Sequence, residues 1–156
     1  MPMAFLSDVL TEALDELADE AFPLYTLAFY LDHASAAVSI CADTLENSLR
    51  SLADMNDYSR PKLFEAVRAG DFERAALWRA HSRNLSLGDF AAVNVARTPL
   101  DDVGMTEELC QAMVLVMARH HTRIRGMAPD PSRVMLATST LDAEIGLTWA
   151  LPVDRR

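Results

Sequence analysis

Residues 23–55 read PLYTLAFYLDHASAAVSICADTLENSLRSLADM. Leu24, Leu31, Val38, Leu45 and Leu52 recur every seven residues, with Leu27, Ala34, Cys41, Ser48 and Met55 at the companion positions. A seven-residue apolar repeat is the period of a left-handed coiled coil. Pro23 suits the first turn of a helix, where a missing N–H costs nothing. The stretch therefore predicts one long helix. Its small central residues, Ala34, Cys41 and Ser48, would let a second helix approach closely. That helix would belong to this chain or to a second copy paired through Leu24, Leu31, Val38, Leu45 and Leu52. Residues 21–42 are also the best candidate for a membrane span, but Asp32 and His33 sit in the middle. A central Asp costs roughly 2.5–3.5 kcal/mol on insertion scales, so no span is expected.

On the N-terminal side, Ser7 reads as an N-cap, with Asp8 in the first turn and Leu6, Leu10, Leu14, Leu17 and Ala21 as an apolar stripe. Asp8, Glu12, Asp15 and Asp19 follow at helical spacing on another face, either a solvated face or a docking surface for a basic partner. On the C-terminal side, Ser59 precedes a short helix from Pro61 to Ala69, which Gly70 stops. Asp71 caps the next helix, which continues to His81. A further helical turn is expected from Phe90 to Val95, and Pro99 with Asp101 and Asp102 marks a loop. Thr106 caps another helix, with Glu107 and Glu108 at its positive end, Arg119, Arg123 and Arg125 near its negative end, and Gly126 as its stop. From Asp130-Pro131 onward a helix is the preferred reading. Ile145, Leu147, Trp149 and Leu151 alternate as a strand would, which keeps a β-hairpin over residues 133–151 open.

The fold expected from these elements is all-α: one domain over residues 1–156, an antiparallel bundle of five or six helices around one long helix. The 156 residues suffice for a real core. The net charge of −9 resides in the first third, because residues 1–49 hold nine acids and no Lys or Arg. Such a chain is repelled by phosphate backbones, so direct nucleic-acid binding is disfavoured and a basic protein partner is the natural complement. The N-terminus has no basic residue ahead of an apolar run, which argues against a secretory signal. Cys41 and Cys110 form no disulfide framework, so a cytoplasmic, reducing compartment is expected.

No catalytic residues, metal ligands or cofactor site stand out. None of the four histidines has a ligand three or four residues away on its helix. The five glycines are isolated, so no phosphate-cradling loop exists. Cys110 and His120 or His121 would lie about three turns apart, some 15 Å along one helix, too far for a thiolate pair. Phe64-Glu65-Ala66-Val67-Arg68-Ala69-Gly70-Asp71, Ala80-His81-Ser82 and Leu87-Gly88 together resemble the centre of a histidine phosphotransfer domain. That resemblance implies a helical bundle with His81 as an exposed phosphoacceptor. The family's Lys-Gly after the histidine falls on Asn84-Leu85 here, so the phosphate-stabilising cation and the close-packing glycine are missing. The long Ala-rich helix also resembles phasins, the amphipathic proteins that coat storage granules. The leading expectation is a non-catalytic protein-interaction or regulatory protein, not an enzyme, binding through Asp8, Glu12, Asp15 and Asp19 and through the heptad helix.

Overall fold

A computed structural model describes residues 2–101 and 104–153. The elements in chain order are α1 (Pro2–Asp19), β1 (Thr26–Asp32), β2 (Ala37–Asp43), α2 (Leu45–Arg68), α3 (Phe72–Leu77), β3 (Ala92–Pro99), α4 (Glu107–Arg119), α5 (His121–Gly126), β4 (Met135–Thr138) and β5 (Leu147–Ala150). Short 3₁₀ turns cover Leu87–Asp89 and Pro131–Arg133. The strands form one mixed sheet in the order β3-β2-β1-β4-β5. Only the β1–β4 pairing is parallel.

The architecture is mixed α/β, which overturns the all-α bundle. The long heptad helix does not exist: residues 26–43 are the β1–β2 hairpin. Leu31 and Val38, seven apart in sequence, are cross-strand partners in that hairpin. All seven residues of β2 are buried, as are five of the seven in β1. With both faces covered, the alternation that marks a half-exposed strand disappears and the run reads as continuously apolar. Asp32, the charge that interrupted the supposed span, shapes the hairpin turn by accepting hydrogen bonds from the N–H groups of Ala34 and Ser35. It also pairs with Arg97 of β3 at 3.0 Å. No helix among the described residues is long and apolar enough to cross a membrane.

The main core lies on one face of the sheet. There Leu27, Phe29, Leu31, Val38, Ile40 and Leu136 meet Leu6, Leu10 and Leu14 of α1 and Leu109, Met113 and Val116 of α4. The opposite face holds a smaller cluster: Ala28, Cys41 and Ala137 under Leu87 and Phe90. Helix α1 starts at Pro2 instead of after Ser7, and Ser7 Oγ lies 3.0 Å from His120 Nε2 across the α1–α4 contact. The predicted caps at Asp71 and Thr106 are present, accepting from Arg74 N–H and Leu109 N–H. Pro61 lies inside α2, which runs from Leu45 to Arg68 between caps at Thr44 and Ala69, so no separate helix starts at Pro61. The helical turn expected over 90–95 does not form: residues 92–95 open β3, which has left-handed φ at Asn94 and Ala96. Residues 135–138 and 147–150 form the antiparallel β4–β5 pair, so the hairpin holds at the C-terminal end and the helix does not. Asp102 lies outside the described residues.

Candidate functional site

Asp8, Glu12, Asp15 and Asp19 are all exposed, on the face of α1 turned away from the buried Leu6, Val9, Leu10, Ala13, Leu14 and Leu17. The 3.6-residue period accounts for this division: apolar positions hold the helix on the sheet, and the acids are left in water. One of the four is already answered within the chain, since Asp15 pairs with Arg123 of α5. The leucines proposed for self-association are differently placed. Leu24, Leu31 and Val38 are core residues and offer no surface to a second copy.

His81 does not lie on a helix. Helix α3 ends at Leu77, and His81 sits exposed in the irregular segment that follows. Its N–H donates to Asn56 Oδ1 at 3.0 Å, and its C=O accepts from Asn56 Nδ2 at 3.4 Å. The bundle geometry that the phosphotransfer resemblance implies is therefore absent around this histidine. Among the described residues, no group of three or more His, Cys, Asp or Glu could hold a metal ion. Both cysteines are free and buried, and burial pushes both thiols above their ordinary range, Cys41 by desolvation first.

The surface that sequence reasoning missed is the α2–α3 hairpin. The 24-residue α2 buries only Ser48, Leu52, Ser59 and Ala66, and α3 buries only Ala75. The hairpin packs mainly on itself and leaves Phe64, Val67, Phe72 and Leu77 facing solvent, the last two 71% and 75% exposed. Gly70, at φ +69°, makes the tight turn between the helices, a conformation that would strain any residue with a Cβ. Lys62 Nζ ties the arms together from between two rings, 3.6 Å from the centroid of Tyr58 and 4.4 Å from that of Trp78. The base of the hairpin is fixed by Asp43 at the end of β2. Its Oδ1 accepts from Thr44 N–H, Ala91 N–H and Asn47 Nδ2, and its Oδ2 from Asn84 Nδ2. The hairpin's base is thus pinned to the sheet, while four large apolar side chains stand exposed among charged ones on its outer part. A second apolar surface, built on Leu115 of α4 with Leu141 and Leu147, borders a cavity of about 720 Å³ beside β5.

The apolar residues of α2 and α3 were legible as helical; their lack of an intramolecular partner was not. A weak signal existed in α2, whose buried stripe carries the small or polar Ser48, Ser59 and Ala66 where a deeply packed helix would carry large apolar residues. Comparisons with known protein families, curated proteins and solved structures return no match in any of the three.

Proposed function

We propose that this chain is a non-catalytic interaction protein that grips a basic polypeptide partner. The observation that carries the reading is the exposed apolar face of the α2–α3 hairpin. Monomeric proteins rarely leave large apolar side chains clustered in water unless a partner covers them. Phe64, Val67, Phe72 and Leu77 are the side chains a partner would desolvate, each worth about 1.5–3 kcal/mol when fully buried. The acidic face of α1 supplies the charge that favours a basic partner and speeds its approach at low salt.

The test compares three forms of the tagged protein in capture from native lysate at low and moderate salt. These are the wild type, Phe72→Ser with Leu77→Ser, and Asp8→Asn with Glu12→Gln and Asp19→Asn. The reading expects the wild type to retain a basic protein. The hairpin variant should lose about tenfold or more of that capture, and the helix variant should retain less and respond less to salt. All substituted positions are exposed, so unchanged circular dichroism would show that the fold is intact. Equal capture by all three forms, or no specific capture by the wild type, overturns the reading.

A further inference from the structure

Two arginines flank one aromatic ring just before β1, and a third, Arg79, lines a cavity with that ring, in a chain of net charge −9. Tyr25 is fixed through its backbone: its N–H donates to the Asp43 carbonyl at 2.9 Å, and its own carbonyl accepts from Met135 N–H at 3.2 Å. The guanidinium of Arg83 stacks on the ring at 3.6 Å, and that of Arg133 stands 5.7 Å from its centroid. Arg83 is a structural pin. It donates to the carbonyls of Tyr25 and Arg133 and to Thr26 Oγ1, at 3.0, 2.6 and 2.7 Å. Burial holds its guanidinium below the ordinary value, and the charge of Arg133 pushes in the same direction.

Three cavities share walls here. One, of about 510 Å³, is apolar and lies between Leu49 of α2 and Pro129, with Tyr25 and Arg133 on its border. A second, of about 590 Å³, lies under Arg79, His81 and Arg83 and also touches Tyr25. The third, of about 400 Å³, opens between Arg83 and Arg133 toward β5. Two carboxylates reach the first cavity, and both are engaged locally. Glu46 pairs with Arg50 at 3.2 Å, and Asp130 Oδ1 accepts from the N–H and hydroxyl of Ser132. Among the described residues, Arg79 and Arg133 pair with no carboxylate. The apolar cavity thus borders Arg133, and Arg79 lines the cavity beside it; neither guanidinium forms an ion pair among the described residues.

We infer that the Tyr25 cleft binds an acidic peptide segment bearing an apolar side chain beside its carboxylates. The apolar side chain enters the cavity between Leu49 and Pro129, and the carboxylates reach Arg79 and Arg133. Arginine suits this role because its planar fork meets a carboxylate with two parallel hydrogen bonds. A nucleic acid would offer anionic groups and stacking bases, but its phosphate backbone would meet a strongly acidic chain. This site is separate from the apolar hairpin face and of opposite charge preference to α1, so it does not depend on the reading above.

The test is selection from a random displayed peptide library on the immobilised full-length protein, followed by fluorescence anisotropy with the labelled winning peptide. The expected winners carry Asp or Glu next to Leu or Phe. Arg79→Glu with Arg133→Glu should weaken their binding about tenfold or more. Leu49→Glu, at the cavity wall, should do the same, while Phe72→Ser with Leu77→Ser should leave it unchanged. All these residues are exposed, and a thermal melt of each variant checks folding. No enrichment, winners without acidic residues, or binding that survives both the double reversal and Leu49→Glu would overturn the proposal. Tighter binding of a labelled single-stranded RNA than of the winning peptide would overturn it too.

Discussion

Replacing Asp43 with Ala should destabilise the protein by about 3 kcal/mol, and the structure shows where that figure arises. The side chain is fully buried and receives hydrogen bonds from four donors. Two of them have a second acceptor: Asn47 Nδ2 also donates to the Asp89 carbonyl at 2.7 Å, and Asn84 Nδ2 reaches the same oxygen at 3.4 Å. The backbone N–H groups of Thr44 and Ala91 would be left without a partner. A fully buried donor so orphaned costs about 1–3 kcal/mol; these two are part-buried, so about 1–2 kcal/mol each gives the stated sum. Asp43→Asn should cost less, since its amide oxygen still accepts from the N–H groups, while its NH2 opposes that of Asn84. The assay is urea unfolding followed by far-ultraviolet circular dichroism. For a chain of this size the Ala variant should also lower Tm by about 6–12 °C. Hydrogen exchange at the start of α2 should accelerate, because Asp43 joins that helix to β2 and to the segment before β3. A loss below about 1 kcal/mol for Asp43→Ala would refute the reasoning, because it would mean that water satisfies those N–H groups and that the junction is not sealed.

Gly146 and His120 give two further tests. A Cβ at position 146 would overlap the side chain of Thr140, so Gly146→Ala must shift the β4–β5 connection and should cost about 1–3 kcal/mol in the same assay. Unchanged stability would show that Thr140 moves aside freely. His120 is held below its ordinary value of 6.5, by burial first and by the Arg123 charge second. The unfolded chain therefore binds the proton more readily, and this contribution is complete above about pH 6.5 and lost as pH falls below it. The urea midpoint of the wild type should drop more between pH 7 and pH 5 than that of His120→Gln; equal drops would contradict the assignment.

The parts of the fold that could be read from sequence are those where one or two residues dictate local geometry. Asp71 and Thr106 act as caps, Gly70 supplies a left-handed turn, and the acids of α1 fall on the face that its leucines leave to solvent. The β1–β2 hairpin could not be read because tertiary burial erased its signal. Its strands are covered on both faces, and the turn places Leu31 beside Val38 at a spacing that imitates a heptad. Strand β3 carries left-handed φ values at Asn94 and Ala96, where its register against β2 shifts, and an alanine gives no warning of such a bend. The candidate sites were only half legible. The acidic helix face is a local pattern, but the solvent-facing hairpin and the gathering of Arg79, Arg83 and Arg133 around Tyr25 depend on segments far apart in the chain. No local spacing encodes them.

The central claim is that the apolar face of the α2–α3 hairpin exists to be covered by a partner. Its most direct measurement is hydrogen exchange and surface labelling of residues 60–78 in the purified protein, alone and with the captured partner. The account predicts that Phe64, Phe72 and Leu77 are labelled readily in the isolated chain and protected in the complex, with the acidic face of α1 protected alongside. A complex that leaves the hairpin as accessible as in the free protein would contradict it.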